Sequence, residues 1–395
     1  YANLQDFEHR IIYYESSRGC PFSCSYCLSS VDKKLRFRSL PLVYRELQFF
    51  IDAKVPQVKF VDRTFNCRHE HAMGIWNYIK EHDNGITNFH FEISADLLRE
   101  DELELISDMR PGLIQLEIGV QSTNGTTIRE IHRTMRLEDV YRAVNRVKAG
   151  KNIHQHLDLI AGLPFEDYER FQQSFDDIYA LHPQQLQLGF LKVLKGSFMY
   201  QAAPEYGCVC QSREPYEVLY TRWLPYDDVL RLKLVEEMVE VYYNSNQFGK
   251  TLRAIEKLFD NPFALYEALG AFYDKKGYMD ISHTRIRRYE ILQEFLQEYV
   301  DEEQMDYYRQ LMICDLYARE NMKTRPAWAK DLKAYKRDIR EFYLKEEETH
   351  EYLPEYEGYD EKQLARMTHL ERMDYDPDTG VREPCWILFD YRSRD

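Results

Sequence analysis

The sequence predicts a parallel α/β fold followed by a mainly α-helical second domain. Three observations carry that expectation. Between residues 1 and 200, six strand-sized apolar runs recur at roughly thirty-residue spacing, the length of a strand-plus-helix unit. The segments between them carry apolar residues at helical spacing. Beyond residue 210 the strand pattern gives way to amphipathic stretches, and 20 of the 31 tyrosines lie there.

The expected strands are Ile11 to Ser16, Gln57 to Val61, Asn88 to Ser94, Leu113 to Gly119, Ile153 to Ile160 and Gln185 to Phe190. The expected helices between them are Pro41 to Ala53, His69 to His82, Asp101 to Met109, Leu137 to Ala149 and Asp167 to Leu181, the last with Asp167 as its N-cap. Strands alternating with helices make a parallel sheet, either open and doubly wound or a complete or partial barrel. In each of these, ligands collect at the C-terminal ends of the strands. The second half reads as helices at Asp228 to Tyr243, Thr284 to Tyr299, Glu303 to Arg319 and Trp328 to Tyr343, then a turn at Asp376 to Gly380 and a strand at Cys385 to Tyr391. Aromatic packing explains its tyrosines better than a nucleic-acid platform does. The domain boundary is expected between residues 205 and 206.

Composition narrows the function. The chain has 395 residues, 44% hydrophobic and 30% charged, a globular rather than disordered composition. Lys and Arg number 52 against 67 Asp and Glu, a formal charge of −15 at pH 7. That sign disfavours nucleic acid held through its phosphates. No run reaches the roughly 20 apolar residues of a membrane span, so a cytoplasmic protein without a membrane partner is expected. The first residue is Tyr1, which suggests a piece of a longer polypeptide. Eight cysteines are too few for a disulfide scaffold.

The strongest local signal is Ser17-Arg-Gly-Cys20-Pro-Phe-Ser-Cys24-Ser-Tyr-Cys27, a Cys-x3-Cys-x2-Cys loop directly after the first strand. Three soft thiolates within eight residues can converge on one metal centre. A structural zinc site needs a fourth ligand and usually shows two Cys-x2-Cys pairs, which are missing here. A four-iron cluster held by three thiolates keeps one iron open to a ligand. The iron–sulfur cluster is the first reading; zinc and packed or redox thiols are the alternatives.

Other strand ends carry polar groups inside apolar runs. Glu92 sits in Phe91-Glu-Ile-Ser94, Glu117 in Leu116-Glu-Ile-Gly119-Val-Gln121-Ser122, and Asp158 in His156-Leu-Asp158 ahead of Gly162-Leu-Pro164. A buried carboxylate needs a donor partner. Ribose hydroxyls would serve, and so would Arg63, Arg133 or backbone NH groups.

Together these residues resemble the radical S-adenosylmethionine (SAM) superfamily, whose signature is Cys-x3-Cys-x-aromatic-Cys after the first strand; Tyr26 supplies the aromatic. The resemblance covers about residues 8 to 200, and the layout is similar to that of enzymes related to the anaerobic coproporphyrinogen oxidases and methylthiotransferases. It implies an incomplete parallel (β/α)6 TIM-like barrel and a 4Fe-4S cluster on Cys20, Cys24 and Cys27. It further implies SAM chelating the open iron, with an electron from the cluster breaking the sulfonium bond to give a 5′-deoxyadenosyl radical. By motif, Glu92, Gln121 and Asp158 would bind the ribose, and Arg133 the methionyl carboxylate. Tyr26 would lie near the adenine, and the Leu191 to Val193 strand end would wall it; Gly162 marks the Gly-Leu-Pro turn. Where many members have a Gly-Gly-Glu loop for the methionyl amine, this chain has Phe60-Val-Asp62-Arg63-Thr64. That run, with Glu117-Ile-Gly-Val-Gln-Ser122, resembles the branch carrying an upstream cobalamin domain, so cobalamin bound outside this chain is part of the expectation, along with Asp62, Glu117 and Ser122 as site residues.

An electron donor such as flavodoxin or ferredoxin follows from the resemblance, as does an enzymatic rather than purely binding role. The rival expectation is an iron–sulfur or zinc binding protein without turnover. Lesser candidates are Cys208 and Cys210 with Cys67, Cys314 or Cys385 as an auxiliary cluster, His69 and His71 as ligands, His154 and His156 as core or substrate groups, and Tyr200 and Tyr206 as packing residues. The catalytic residue and the substrate are not legible.

Overall fold

The structure is a computed structural model that describes residues 10–392. Its centre is a six-stranded sheet of β1 (Ile12–Tyr14), β2 (Gln57–Phe60), β3 (Asn88–Ile93), β4 (Ile114–Gln121), β5 (His154–Ala161) and β6 (Gln185–Phe190). The strands lie in chain order, and every neighbouring pair is parallel. Helices α1 (Leu40–Asp52), α2 (His69–Glu81), α3 (Glu100–Ser107), α4 (Leu137–Gly150) and α5 (Tyr168–Tyr179) make the crossovers. Asp167 caps α5, accepting from the Arg170 amide at 2.9 Å. Sequential parallel order with a helix after each strand is the α/β architecture expected.

Period-two alternation explains why the site is polar. On β2 to β5 the residues Val58, Phe60, Phe89, Phe91, Leu116, Ile118, Leu157 and Leu159 are fully buried. Phe60, Phe65, Phe91 and Trp76 form one aromatic cluster beneath α2, with ring centres 4.3 to 6.0 Å apart. Successive side chains of a strand leave on opposite faces. The other face therefore receives Lys59, His90, Glu92, Glu117, His156 and Asp158, and strand register sets Glu117 between Glu92 and His156.

The chain divides into two compact units between Glu240 and Val241. Residues 206–240, expected with the second domain, thus fall in the first unit. The two-residue strand β7 (Val209–Cys210) and β8 (Val218–Tyr220) form a ladder whose edge reaches the end of β6: Val218 N donates to Leu191 O and Val193 N to Tyr216 O. Helix α6 (Tyr226–Met238) follows. The second unit contains α7 (Pro262–Lys276), α8 (Arg285–Leu296), α9 (Glu302–Arg319), α10 (Lys336–Thr349) and a hairpin of β9 (Thr368–Met373) with β10 (Cys385–Asp390).

Helices α10 and α7 are among those that depart from the sequence expectation. Helix α10 begins at Lys336 instead of Trp328, because Asp331 folds the chain back by accepting from the Lys333 amide at 2.8 Å and a 3-10 turn follows. Helix α7 was not expected. It is apolar on most sides, with Phe263, Leu265, Tyr266, Leu269 and Phe272 all buried, so it lacks the one-sided pattern that marks a surface helix. Among the described residues no helix is long and apolar enough to cross a membrane.

Candidate active site

The cysteine loop leaves β1 and is pinned at several points. Gly19 has φ +95°, and a Cβ there would come within 2.5 Å of Lys34 O, so this turn requires glycine. Ser25 N donates to Ile131 O at 2.9 Å, Met199 N to Ser25 O at 2.8 Å, and Cys27 N to Cys24 O at 3.1 Å. These bonds hold the loop to the turns after β4 and β6. The Cys20, Cys24 and Cys27 side chains all line one cavity of about 200 Å³.

The same cavity is lined by Tyr26 of the cysteine loop, Glu92 of β3, Glu117, Gly119 and Gln121 of β4, Arg133 after β4 and Asp158 of β5. At Gln121 the β4–β5 register shifts and φ is +77°, which ends the strand in a bulge. A Cβ on Gly119 would run into Gln121 Nε2. Glycine at 119 is thus what lets the Gln121 amide fold back along its own strand.

Arg133 reaches from the turn after β4 toward the loop. Its Nη2 donates to Gly119 O, and Nη1 lies 3.3 Å from Tyr26 Oη and 3.8 Å from Cys24 Sγ. Its Nε is buried without a hydrogen-bond partner, as is Gln121 Oε1. Buried polar atoms without partners are uncommon. Both belong to residues of one small cavity, the pattern of a site shaped for a polar ligand.

The carboxylates find partners other than those considered from the sequence. Glu117 Oε2 accepts from Lys59 Nζ at 2.8 Å and lies 3.0 Å from His90 Nε2. His90 first, and Lys59 with it, hold the Glu117 carboxyl down to about 2 against its burial. Asp158 Oδ1 lies 3.0 Å from His156 Nε2. Burial raises the Asp158 pKa, and His156 opposes it. For His156 burial disfavours the cation, yet Asp158 and Glu117 lift its pKa above the ordinary value. Glu92 has its pKa raised by burial and by Glu117 beside it. Lys59 and His90 escaped the sequence reading although their alternation with Phe60 and Phe91 marks them as facing this interior.

Five expected site residues do not line this cavity. Asp62 is buried, and its oxygens accept from Ser16 N at 3.0 Å, Ser16 Oγ at 2.8 Å and Ser17 Oγ at 2.5 Å, so it ties the end of β2 to the root of the cysteine loop. Ser122 donates to Glu166 Oε1 at 2.7 Å and accepts from the Asn124 amide at 2.9 Å. Gly162 has φ +86°, and a Cβ would press on Val218 Cγ1 at 2.8 Å; it serves the packing of β8. Val193 is buried and bonded to Tyr216. Leu191 does face a cavity, a larger neighbour of about 620 Å³. Residues the sequence did not single out, among them Phe22, Ser29, Thr64 and Ser94, complete the wall.

The Ser122 contact carries a pH prediction. Glu166 is buried, and burial first of all pushes its carboxyl from 4.5 up to about 7, with Ser122 and Ser174 opposing. Between those values the folded chain holds a proton that the unfolded chain has released, so stability falls as pH rises from about 4.5 to about 7. The full loss is about 3 kcal/mol. Glu166→Gln is expected to flatten this part of the urea-unfolding pH profile and to raise stability at pH 8. An unchanged slope in the variant would contradict the assignment.

The remaining candidates separate from the site. His69 lies 3.0 Å from Asp101 and 3.3 Å from Glu102, and His71 lies 3.0 Å from Ser16 Oγ. Tyr206 donates to Glu130 at 2.7 Å, whereas Tyr200 is exposed. Cys314 is buried, and burial pushes its thiol up to about 12. Burial pushes the Cys208 and Cys67 thiols up to about 11. Among the described residues, Glu117, His156 and Asp158 bring ligand atoms within 4.8 Å of one another, and Lys59 and His90 contact Glu117.

Residues 14–178 match the sequence model of the Radical SAM superfamily. Residues 204–389 match the family described as Protein of unknown function (DUF4080). The chain is 29% identical over 107 residues to the oxygen-independent coproporphyrinogen III oxidase of Salmonella typhimurium, covering 26% of this chain and 23% of that protein. It is 23% identical over 246 residues to an uncharacterised methyltransferase of Pyrococcus horikoshii, covering 60% and 49%. The chain thus spans less than half the length of either relative. Among solved structures, the radical SAM methyltransferase TsrM of Kitasatospora setae, with cobalamin and a [4Fe-4S] cluster bound, aligns at 17% identity and a TM-score of 0.47, over 54% of this chain and 44% of that one.

Proposed function

We propose that the domain binds a [4Fe-4S] cluster through Cys20, Cys24 and Cys27, binds SAM in the adjoining cavity, and cleaves it reductively to modify a further substrate. The observation that carries this reading is the gathering, in one cavity of about 200 Å³, of three thiols with the partnerless Gln121 Oε1 and Arg133 Nε and the Asp158 carboxylate. The donor set fits both groups. Three soft thiolates in one loop suit an iron–sulfur cluster that keeps one iron open to a ligand.

When bound, the cluster supplies one electron to the sulfonium of SAM, and the broken C–S bond leaves methionine and a 5′-deoxyadenosyl radical. The chain's own residues bind and orient. Gln121 and Asp158, with Glu92 beside them, offer acceptors to ribose hydroxyls, and His156 aims Asp158 and opposes the rise in its pKa that burial causes. Arg133 offers a planar guanidinium to a carboxylate. Tyr26 and the apolar rim restrict water, which a reactive primary radical demands. Methyl transfer is the outcome that likeness to the Pyrococcus protein supports, with cobalamin supplied from outside these residues as a variant of it. A flavodoxin or ferredoxin in a reducing cytoplasm would deliver the electron.

Anaerobic reconstitution with iron and sulfide tests the reading. About four irons per chain are expected, with 5′-deoxyadenosine formed only when both dithionite and SAM are added. Zinc instead of iron, or a full cluster that leaves SAM intact, would establish the rival binding-protein reading.

A further inference from the structure

The reaction proposed above consumes one electron per SAM cleaved, and that electron must cross the protein surface to reach the cysteine loop. A small acidic carrier protein would be repelled by a chain of formal charge −15 unless the surface near the loop had the opposite sign. The stretch Val31-Asp-Lys-Lys-Leu-Arg-Phe-Arg38 has it, with four basic residues and one acid.

The fold lays this stretch along the cysteine loop. Ser17–Arg18 and Arg36–Phe37 pair as short antiparallel strands, and Cys20 N donates to Asp32 O at 3.3 Å. The Lys33 ammonium donates to Phe22 O at 2.6 Å and to Ser23 Oγ at 2.7 Å, inside the loop itself. Lys33, Lys34, Arg36 and Arg38 are exposed, and none of them lines the SAM cavity or its larger neighbour. Arg36 pairs with Asp32, Arg38 with Glu46, and adjacent Arg18 with Glu15. Lys33 and Lys34 pair with no carboxylate, so five basic side chains stand against three acids, a net charge of +2. Val31, two residues before Lys33, is 66% exposed. An apolar contact rimmed by charge is the make-up of a protein interface, and redox encounters are at the small end of the range.

We propose that Val31, Lys33, Lys34 and Arg36 form the docking surface for an acidic one-electron carrier protein that reduces the cluster. This rests on the assignment of Cys20, Cys24 and Cys27 to that cluster. One electron leaves the reduced carrier and enters the cluster, and no bond is made or broken in that step. The patch steers the encounter and fixes its orientation, work for which a few charges suffice. A nucleic acid would meet the same lysines, but two unpaired cations are too few to hold a polyanion on so acidic a chain.

The test uses the full chain, reconstituted anaerobically, with purified flavodoxin as the probe. Binding is measured by calorimetry at low salt and at about 0.3 M salt. SAM cleavage is driven in parallel by reduced flavodoxin or by titanium(III) citrate. Lys33→Glu with Lys34→Glu is expected to weaken flavodoxin binding about tenfold and to lower the ratio of flavodoxin-driven to titanium-driven cleavage by a similar factor. Lys34→Glu alone, which keeps the Lys33 bonds to the loop, should move both in the same direction. High salt should weaken binding to the parent chain, and Lys257→Glu, exposed in the second unit, should change neither readout. No flavodoxin binding, binding insensitive to salt, or a double variant that matches the parent overturns the proposal. So does an RNA oligonucleotide that binds tighter than flavodoxin and loses its grip in the double variant. Titanium-driven cleavage without these lysine effects sinks the docking surface alone, whereas absence of any cleavage sinks the reading on which it rests.

Discussion

Cys24→Ala is expected to lose the cluster and to lower 5′-deoxyadenosine formation by at least about a thousandfold, the scale on which removing one member of an interdependent catalytic set acts. The three thiols are consecutive in one loop, and no other cysteine lines the cavity to replace one of them. Cys24 is the buried member nearest Arg133, whose Nη1 is 3.8 Å from its sulfur, so its loss also disturbs the group assigned to the methionyl carboxylate. Folding should be little changed, since Ser25 and Cys27 hold the loop through backbone bonds that alanine preserves. Iron content, cleavage and the far-ultraviolet circular dichroism of the variant check all three statements. A variant that keeps its iron and still cleaves SAM would remove Cys24 from the site.

The second large effect is on stability. Asp62→Ala removes the acceptor for three donors, Ser16 N, Ser16 Oγ and Ser17 Oγ, at a point where the chain turns from β1 into the cysteine loop. Each buried donor left without a partner costs about 1 to 3 kcal/mol. Asp62 itself is desolvated, which raises its pKa and offsets part of the loss, so a net destabilisation of about 2 to 4 kcal/mol is expected in urea unfolding. Iron loading should fall as well, because Ser17 lies three residues before Cys20. Asp62→Asn, which keeps one carbonyl acceptor, should recover part of both. A change below about 0.5 kcal/mol, the range of ordinary surface substitutions, would mean that the loop root is held by something else.

Asp62 also shows where motif and geometry part. It stands in a run resembling a cofactor-binding loop, and its sequence position after β2 is that of a ligand contact. The folded chain spends it on Ser16 and Ser17 instead, while its neighbours Arg63 and Thr64 face the cavity. Strand polarity alone does not tell which of three consecutive loop residues turns inward. Ser122 and Val193 stay off the cavity for a related reason: each adjoins a lining residue in sequence and turns to the packing side, while Gly162 sits against Val218. Glu92, Gln121 and Asp158 line the cavity together, since each closes a strand whose alternation fixes the face on which it lies.

The sequence by itself determined the number and order of the six strands, the helical crossovers and the cysteine loop. Periodicity and spacing are local, and parallel strands joined by helices have few arrangements open to them. Only the tertiary structure decided the partners of Glu117 and Asp158, the burial of Glu166, the boundary between Glu240 and Val241, and the second cavity beside the first. Those features depend on residues far apart in the chain, brought together by strand register and by the return of 206–240 to the first unit. No local pattern encodes which distant charge a carboxylate will meet, and that meeting sets its protonation and its use.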